Sequence, residues 1–235
     1  METQAAWYPA PGETGMLRYW DGGRWTEHRA PATSAPPLVG ITQFTVKHRM
    51  SLRHNYNYYE LRPLMPDGVQ GEIIAVAWQK RMSLPEEFLF SADARGSVPI
   101  LSFKARTYLN LINAMYDVLD AQGVPIGHLR YEWLESNLLS TWSLGAAGVQ
   151  AEGHQADEAV GIARRQFQLQ VAPLGLITMP FLFDFQFKDA TGRLVLRSER
   201  RPAMRDRYVV TVPGAVLDGR VAAAMAVALD GLYGR

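Results

Sequence analysis

After Phe44 the chain alternates apolar and polar residues almost one for one. The clearest case is 181–188: Phe181, Phe183, Phe185 and Phe187 fall on one face, while Asp184, Gln186 and Lys188 fall on the other. A period of two marks a strand with one buried and one wet side. Leu194 and Leu196 set against Arg193, Arg197 and Glu199 repeat the pattern, which turns Arg193, Arg197 and Arg201 outward together. About a dozen such strands are expected from here on, joined by antiparallel turns. Three turns share one design: Asp93-Ala-Arg-Gly96, Asp120-Ala-Gln-Gly123 and Asp189-Ala-Thr-Gly192. Asp three residues ahead of Gly suits a tight hairpin loop whose glycine takes left-handed backbone. Residues 157–165 pattern as a short amphipathic helix, and 105–111 fit either element.

One segment has a different pattern. Residues 221–229 read Val-Ala-Ala-Ala-Met-Ala-Val-Ala-Leu, apolar on every face. A helix without a polar stripe must be enclosed on all sides. The run is about half of the roughly 17–25 residues that span a bilayer, so protein must enclose it. Asp218 stands ready as its N-cap, and Gly231 and Gly234 mark its expected end. The economical arrangement is a mainly β fold: an antiparallel barrel of about twelve strands closed around this C-terminal helix. A lumen of that size needs a plug about 10–12 Å across, and alanines keep the helix slim.

The N-terminal stretch is built differently. Residues 7–28 hold Trp7, Trp20 and Trp25 around Asp21-Gly22, a two-residue hairpin signal, with Pro9 and Pro11 stiffening the entry. Residues 1–30 are therefore read as a small Trp-rich hairpin unit, 31–42 as a proline-rich linker, and 43–235 as the barrel. Composition narrows the options further. The chain of 235 residues is 48% hydrophobic and 20% charged, which is ordinary for a globular protein. The absence of cysteine removes disulfides, thiolate metal sites, cysteine nucleophiles and S-acylation. The chain opens without a basic-then-apolar leader, so a cytoplasmic location is the expectation. A net charge of +1 means that attraction to phosphate must come from a local patch.

Two resemblances add to this reading. Trp7-Tyr8-Pro9, Pro11-Gly12, Arg18-Tyr19-Trp20-Asp21-Gly22 and Arg24-Trp25-Thr26 resemble a short tryptophan-rich domain of unknown function found near the N-termini of many actinobacterial proteins. Residues 44–232 resemble the LURP-one-related and phospholipid-scramblase families. The match is carried by 77–82 (Ala-Trp-Gln-Lys-Arg-Met), Phe88, 102–106 (Ser-Phe-Lys-Ala-Arg), Tyr116-Asp117-Val118, 120–123, Gly127, 138–142 and the final helix. That resemblance implies a tubby-type barrel around a hydrophobic helix, and work at a lipid surface: headgroup binding, or assisting the movement of phospholipid between leaflets. Two features depart from the scramblases. Cysteines for acylation are lacking, and 204–216, where their acidic calcium segment would fall, holds one carboxylate, Asp206.

Candidate sites follow. Residues 188–207 carry seven basic residues against three acidic ones, and the outward Arg193, Arg197 and Arg201 could seat an anionic headgroup. Lys80 and Arg81 with Lys104 and Arg106, on strands expected to be neighbours, form a second basic candidate that follows the family match. Lys47, His48, Arg49, Arg53 and His54 are read as flanking the first strand. Trp7, Tyr19, Trp20 and Trp25 would offer an aromatic docking surface to a protein partner. No catalytic constellation is found: the five histidines lack metal-ligand spacing, and nucleophile elbow, phosphate loop and dinucleotide fingerprint are missing. A non-enzymatic protein without metal or cofactor is expected. It would bind anionic phospholipid peripherally, at the inner face of the plasma membrane. An intracellular adaptor using the Trp-rich unit is the alternative. Nucleic acid is not an expected partner, since the charge is near neutral and no strand interleaves basic and aromatic residues.

Overall fold

A computed structural model describes residues 6–11, 13, 16–31, 37–50, 56–80, 87–106, 114–132, 141–156, 184–200 and 207–233. The predicted helix at 157–165 lies outside these residues, as does nearly all of 105–111. Phe181 and Phe183 of the alternating run also lie outside.

The three N-terminal strands, β1 (Ala6–Pro9), β2 (Met16–Trp20) and β3 (Trp25–Pro31), form an antiparallel sheet in that order. The expected hairpin is β2–β3, and β1 adds a strand to it through the pairing Trp7 to Tyr19. The turn is displaced by one residue from the expected Asp21-Gly22. Asp21 N–H donates to the Arg24 carbonyl at 3.1 Å, so Gly22 and Gly23 are the central pair. The cause is the Asp21 carboxylate, which accepts the backbone N–H of Gly23 and Arg24 and thereby fixes Asp21 at the corner.

The remaining strands are β4 (Gln43–Met50), β5 (Tyr56–Pro63), β6 (Ala75–Lys80), β7 (Glu87–Ser91), β8 (Pro99–Ala105), β9 (Met115–Asp120), β10 (Pro125–Glu132), β11 (Thr141–Ala146), β12 (Val149–Gln155), β13 (Asp184–Lys188), β14 (Leu194–Arg200) and β15 (Arg207–Thr211). Each pairs antiparallel with the next, and β15 pairs with β4, closing a twelve-stranded barrel. Closure leaves no free edge for another chain to extend. Inward positions are apolar and fully buried: Phe44 and Val46 on β4, Phe88 and Phe90 on β7, Phe185 and Phe187 on β13.

The three Asp-x-x-Gly loops take the predicted form. In each, the glycine N–H donates to the aspartate carbonyl, and Gly96, Gly123 and Gly192 have φ of 76°, 80° and 82°. Each aspartate carboxylate accepts two backbone N–H groups: Ser97 and Val98 for Asp93, Gln122 and Val124 for Asp120, Thr191 and Arg193 for Asp189. The strand after the third loop departs from expectation. A bulge between β13 and β14 pairs Phe187 with Leu196 and Lys188 with Leu194, leaving Val195 extra. Val195 and Leu196 are both buried, so Arg193 falls out of phase with Arg197.

Helix α1 (Gly219–Tyr233) fills the barrel. Every residue from Val221 to Leu229 is at most 2% exposed. The Asp218 carboxylate caps its start by accepting the Arg220 N–H at 2.9 Å. Gly231 lies within the helix rather than ending it. A Cβ there would come within 2.9 Å of the Phe88 ring and 3.1 Å of the Tyr59 hydroxyl, so glycine serves closeness of packing, not termination. Gly127 does the same for Val221, at 2.9 Å. Among the described residues, no helix is long and apolar enough to cross a membrane.

Two outcomes follow from this packing. Gly153→Ala would set a methyl carbon 2.2 Å from the Phe187 ring and Gly231→Ala would crowd Phe88, so each should cost about 1–3 kcal/mol, read as a lower denaturation midpoint. The turns should also make stability acid-sensitive. Hydrogen bonds from the Ser91 and Ser97 hydroxyls hold the Asp93 carboxyl below its ordinary range, and that from the Thr191 hydroxyl does the same for Asp189. Carboxyls lowered by folding stabilise above their unfolded pKa of about 3.9, and that contribution is lost as pH falls. Asp93→Asn should therefore lower the melting temperature at pH 7, and its gap from wild type should narrow as acid protonates the native side chain.

Candidate functional site

Register places the predicted basic residues in rows on the outer wall, and nearby carboxylates answer those that are described. Lys104 lies between Glu87 on β7 and Asp117 on β9. Arg106 grips Asp117 with two guanidinium nitrogens, its Nε at 2.7 Å. That pair raises the Arg106 pKa, and the hydrogen bonds from Arg106 lower that of Asp117. Arg197 binds both oxygens of Asp184, at 2.9 and 2.7 Å, and also reaches Glu199 at 2.8 Å. Its pKa rises chiefly through the Asp184 hydrogen bond. Arg193 turns back onto Asp189 at 3.0 Å. Strand alternation delivers arginines to the wall, but it delivers aspartates to adjacent strands at the same height. Arg81, Arg201 and the Lys80 side chain lie outside the described residues.

In the N-terminal sheet, Trp25 meets Trp20 edge-on at 5.3 Å and Tyr8 at 6.0 Å. Tyr19 is half-buried on β2, and the Trp7 side chain lies outside the described residues. Trp20, Trp25 and Tyr8 thus pack on one another, and among the described residues the buried Nε1 atoms of Trp20 and Trp25 have no acceptor.

His48 does not join a basic flank. It points inward, stacks on Tyr59 at 4.8 Å and lies 3.3 Å from Asp230 near the C-terminus of α1. Tyr208 donates its hydroxyl to the same carboxylate. A carboxylate in the last turn opposes the helix dipole. Here two strands answer it and pin that end of the helix.

The exposed apolar residues are informative. In an antiparallel barrel, connections alternate between two ends. The β5–β6, β7–β8 and β9–β10 connections and the entry to β4 therefore share one end, from which α1 also enters. Val69 and Ile73, Val98, Val124 and Val39 lie on these four segments and are 36–57% exposed. Leu89, 51% exposed, is the remaining large apolar residue of this kind among the described residues. It belongs to an outward row running Tyr58, Trp78, Leu89, Ser102 and Leu119 across β5 to β9. Beside it, between the β7–β8 and β9–β10 connections, opens a groove of about 460 Å³. Its lining includes Trp78, Leu89, Arg95, Pro99, Ser102 and Asp120.

The sequence carried a signal for this row. Phe88-Leu89-Phe90 is apolar at three successive positions, and strand alternation sends Leu89 to the face opposite Phe88 and Phe90. Leu89 had to face out.

Residues 5–38 match the model of a family described as a protein of unknown function (DUF2510), which covers the Trp-rich sheet and reaches into the proline-rich stretch. No curated protein matches the chain.

Proposed function

We propose that this is a non-enzymatic, scramblase-related tubby-like barrel of the cytoplasm that docks peripherally on membranes containing anionic phospholipid. The observation that carries the reading is a group of exposed apolar residues on neighbouring connections at one end of the barrel; the connections of the opposite end lie outside the described residues. Val39, Val69, Ile73, Val98 and Val124 crown four adjacent segments with exposed branched side chains. Loop tips commonly favour polar residues, so exposed branched side chains on four neighbouring segments fit insertion among lipid headgroups. The closed barrel around an apolar helix fits the architecture that the family resemblance implies. Electrostatics are secondary at this end, because Asp67 and Glu72 are exposed there along with Arg95. The paired arginines of the wall, Arg106 and Arg197, are less suited to headgroups than their sequence pattern suggests. A phosphate would have to displace carboxylates already bound with two hydrogen bonds. In this reading the Trp-rich sheet supplies the contact with a protein partner.

Sedimentation of the full chain with phosphatidylcholine vesicles, with and without phosphatidylserine, tests the proposal. Wild type should pellet with the vesicles, more strongly when anionic lipid is present. Val98→Asp with Val124→Asp should shift the protein to the supernatant by about tenfold or more, since each buried valine contributes about 1.5–3 kcal/mol. Wild type remaining in the supernatant with both vesicle types would reject the reading.

A further inference from the structure

We propose that the groove beside Trp78 is a binding site for an anionic amphiphile, with the apolar chain lying on Trp78 and Leu89 and the anionic head held by Arg95.

Three observations meet there. The floor is apolar where a barrel wall is normally wet. Trp78 on β6 and Leu89 on β7 are cross-strand partners with their side chains outward, and Leu89 is half exposed. The walls are shaped. The β7–β8 loop folds over the floor, so that a Cβ on Gly96 would lie 3.6 Å from the Trp78 ring. Ala121 and Gly123 of the next turn line the opposite side. The open groove has a volume of about 460 Å³, within the roughly 300–1,000 Å³ of small-molecule sites.

The rim holds a cation, Arg95, near two carboxylates, Asp93 and Asp120, and they differ in which still has free hydrogen-bonding capacity. Arg95 is exposed and has no ion-pair partner among the described residues. The nearest carboxylates are already used. Asp93 accepts the hydroxyls of Ser91 and Ser97 and the N–H groups of Ser97 and Val98. Asp120 accepts those of Gln122 and Val124. Asp93 restrains the loop that carries Arg95, so an anion there would be held by the N–H donors of the guanidinium rather than by a net positive rim. The Ser102 hydroxyl, half-buried on the floor, adds a polar contact between chain and head. A purely apolar ligand leaves Arg95 unused, and inorganic phosphate leaves the floor uncovered. An anion bearing an aliphatic chain satisfies both.

The ligand chemistry is shared by a lipid of the bilayer and by a free single-chain amphiphile. The bilayer source rests on the docking reading, and the free source stands without it. The test uses the full chain and monomeric octyl phosphate, followed by tryptophan fluorescence, with octanol and inorganic phosphate as comparisons. Octyl phosphate should bind saturably, more weakly as salt rises, and at least about tenfold more tightly than either comparison ligand. Trp78→Phe should remove most of the fluorescence change. Leu89→Glu and Arg95→Glu, both at exposed wall or loop positions, should each weaken binding about tenfold without moving the melting temperature. Absence of saturable binding would overturn the proposal, as would equal affinity in Leu89→Glu and Arg95→Glu. Vesicle sedimentation of the same variants separates the two readings. Octyl phosphate binding without vesicle binding keeps the groove and rejects membrane docking. Vesicle binding without octyl phosphate binding does the reverse.

Discussion

A helix that is apolar all the way round cannot rest against a flat layer, and the rest of this structure answers that constraint. Nine consecutive residues of α1, Val221 to Leu229, have essentially no contact with solvent. An open sandwich would leave one flank in water. Only a wall that returns on itself covers every flank, so the requirement for closure comes from the helix as much as from the strands. Size is then coupled in both directions. Twelve strands enclose more space than side chains alone can fill, and a helix of alanines leaves room for the phenylalanines of the wall. Where even alanine would be too large, the contact is made by glycine, as at Gly231 beneath Phe88 and Tyr59.

The helix is also fixed along its axis. Asp218 satisfies the first turn, while Asp230 is held by Tyr208 and His48. Between these ends the interface is apolar and held by close packing, as at Gly127 against Val221. The contacts of Asp230 with Tyr208 and His48 therefore tie the depth of insertion to β15 and β4. His48 illustrates why such a role is hard to read in a sequence. Among Lys47, Arg49, Arg53 and His54 it looks like one more surface cation. Strand parity turns it inward, and its partner lies 182 residues away in the chain.

What was legible in the sequence was whatever a local rule determines. Alternation gave the strand faces, the Asp-x-x-Gly spacing gave three loops of one geometry, and the unstriped segment gave the enclosed helix. Where a local pattern competes with a local hydrogen bond, the reading slipped. The Asp21 carboxylate moved a turn by one residue, and a bulge at Val195 broke the arginine row. The candidate site was less legible because it depends on which residues face each other across strands. Arg106 and Arg197 are basic in the sequence and bridged in the structure, since Asp117 and Asp184 arrive from neighbouring strands. The Trp78–Leu89 row follows from strand parity, because Phe88 and Phe90 on the inner face leave Leu89 on the outer one.

The placement of α1 after all twelve strands has a consequence for biosynthesis. The wall emerges from the ribosome before its filler does. At about 5–20 residues per second, the first strand pairs wait roughly 10–30 seconds for the segment that completes their interior. During that interval the phenylalanines that later surround the helix face an empty or collapsed tube, and β4 lacks its final neighbour β15 until nearly the whole barrel has been translated. Nascent chains of this protein should therefore be clients for chaperones that shield greasy strands, and a stop codon just ahead of Asp218 would yield a product prone to clump rather than a slightly smaller barrel.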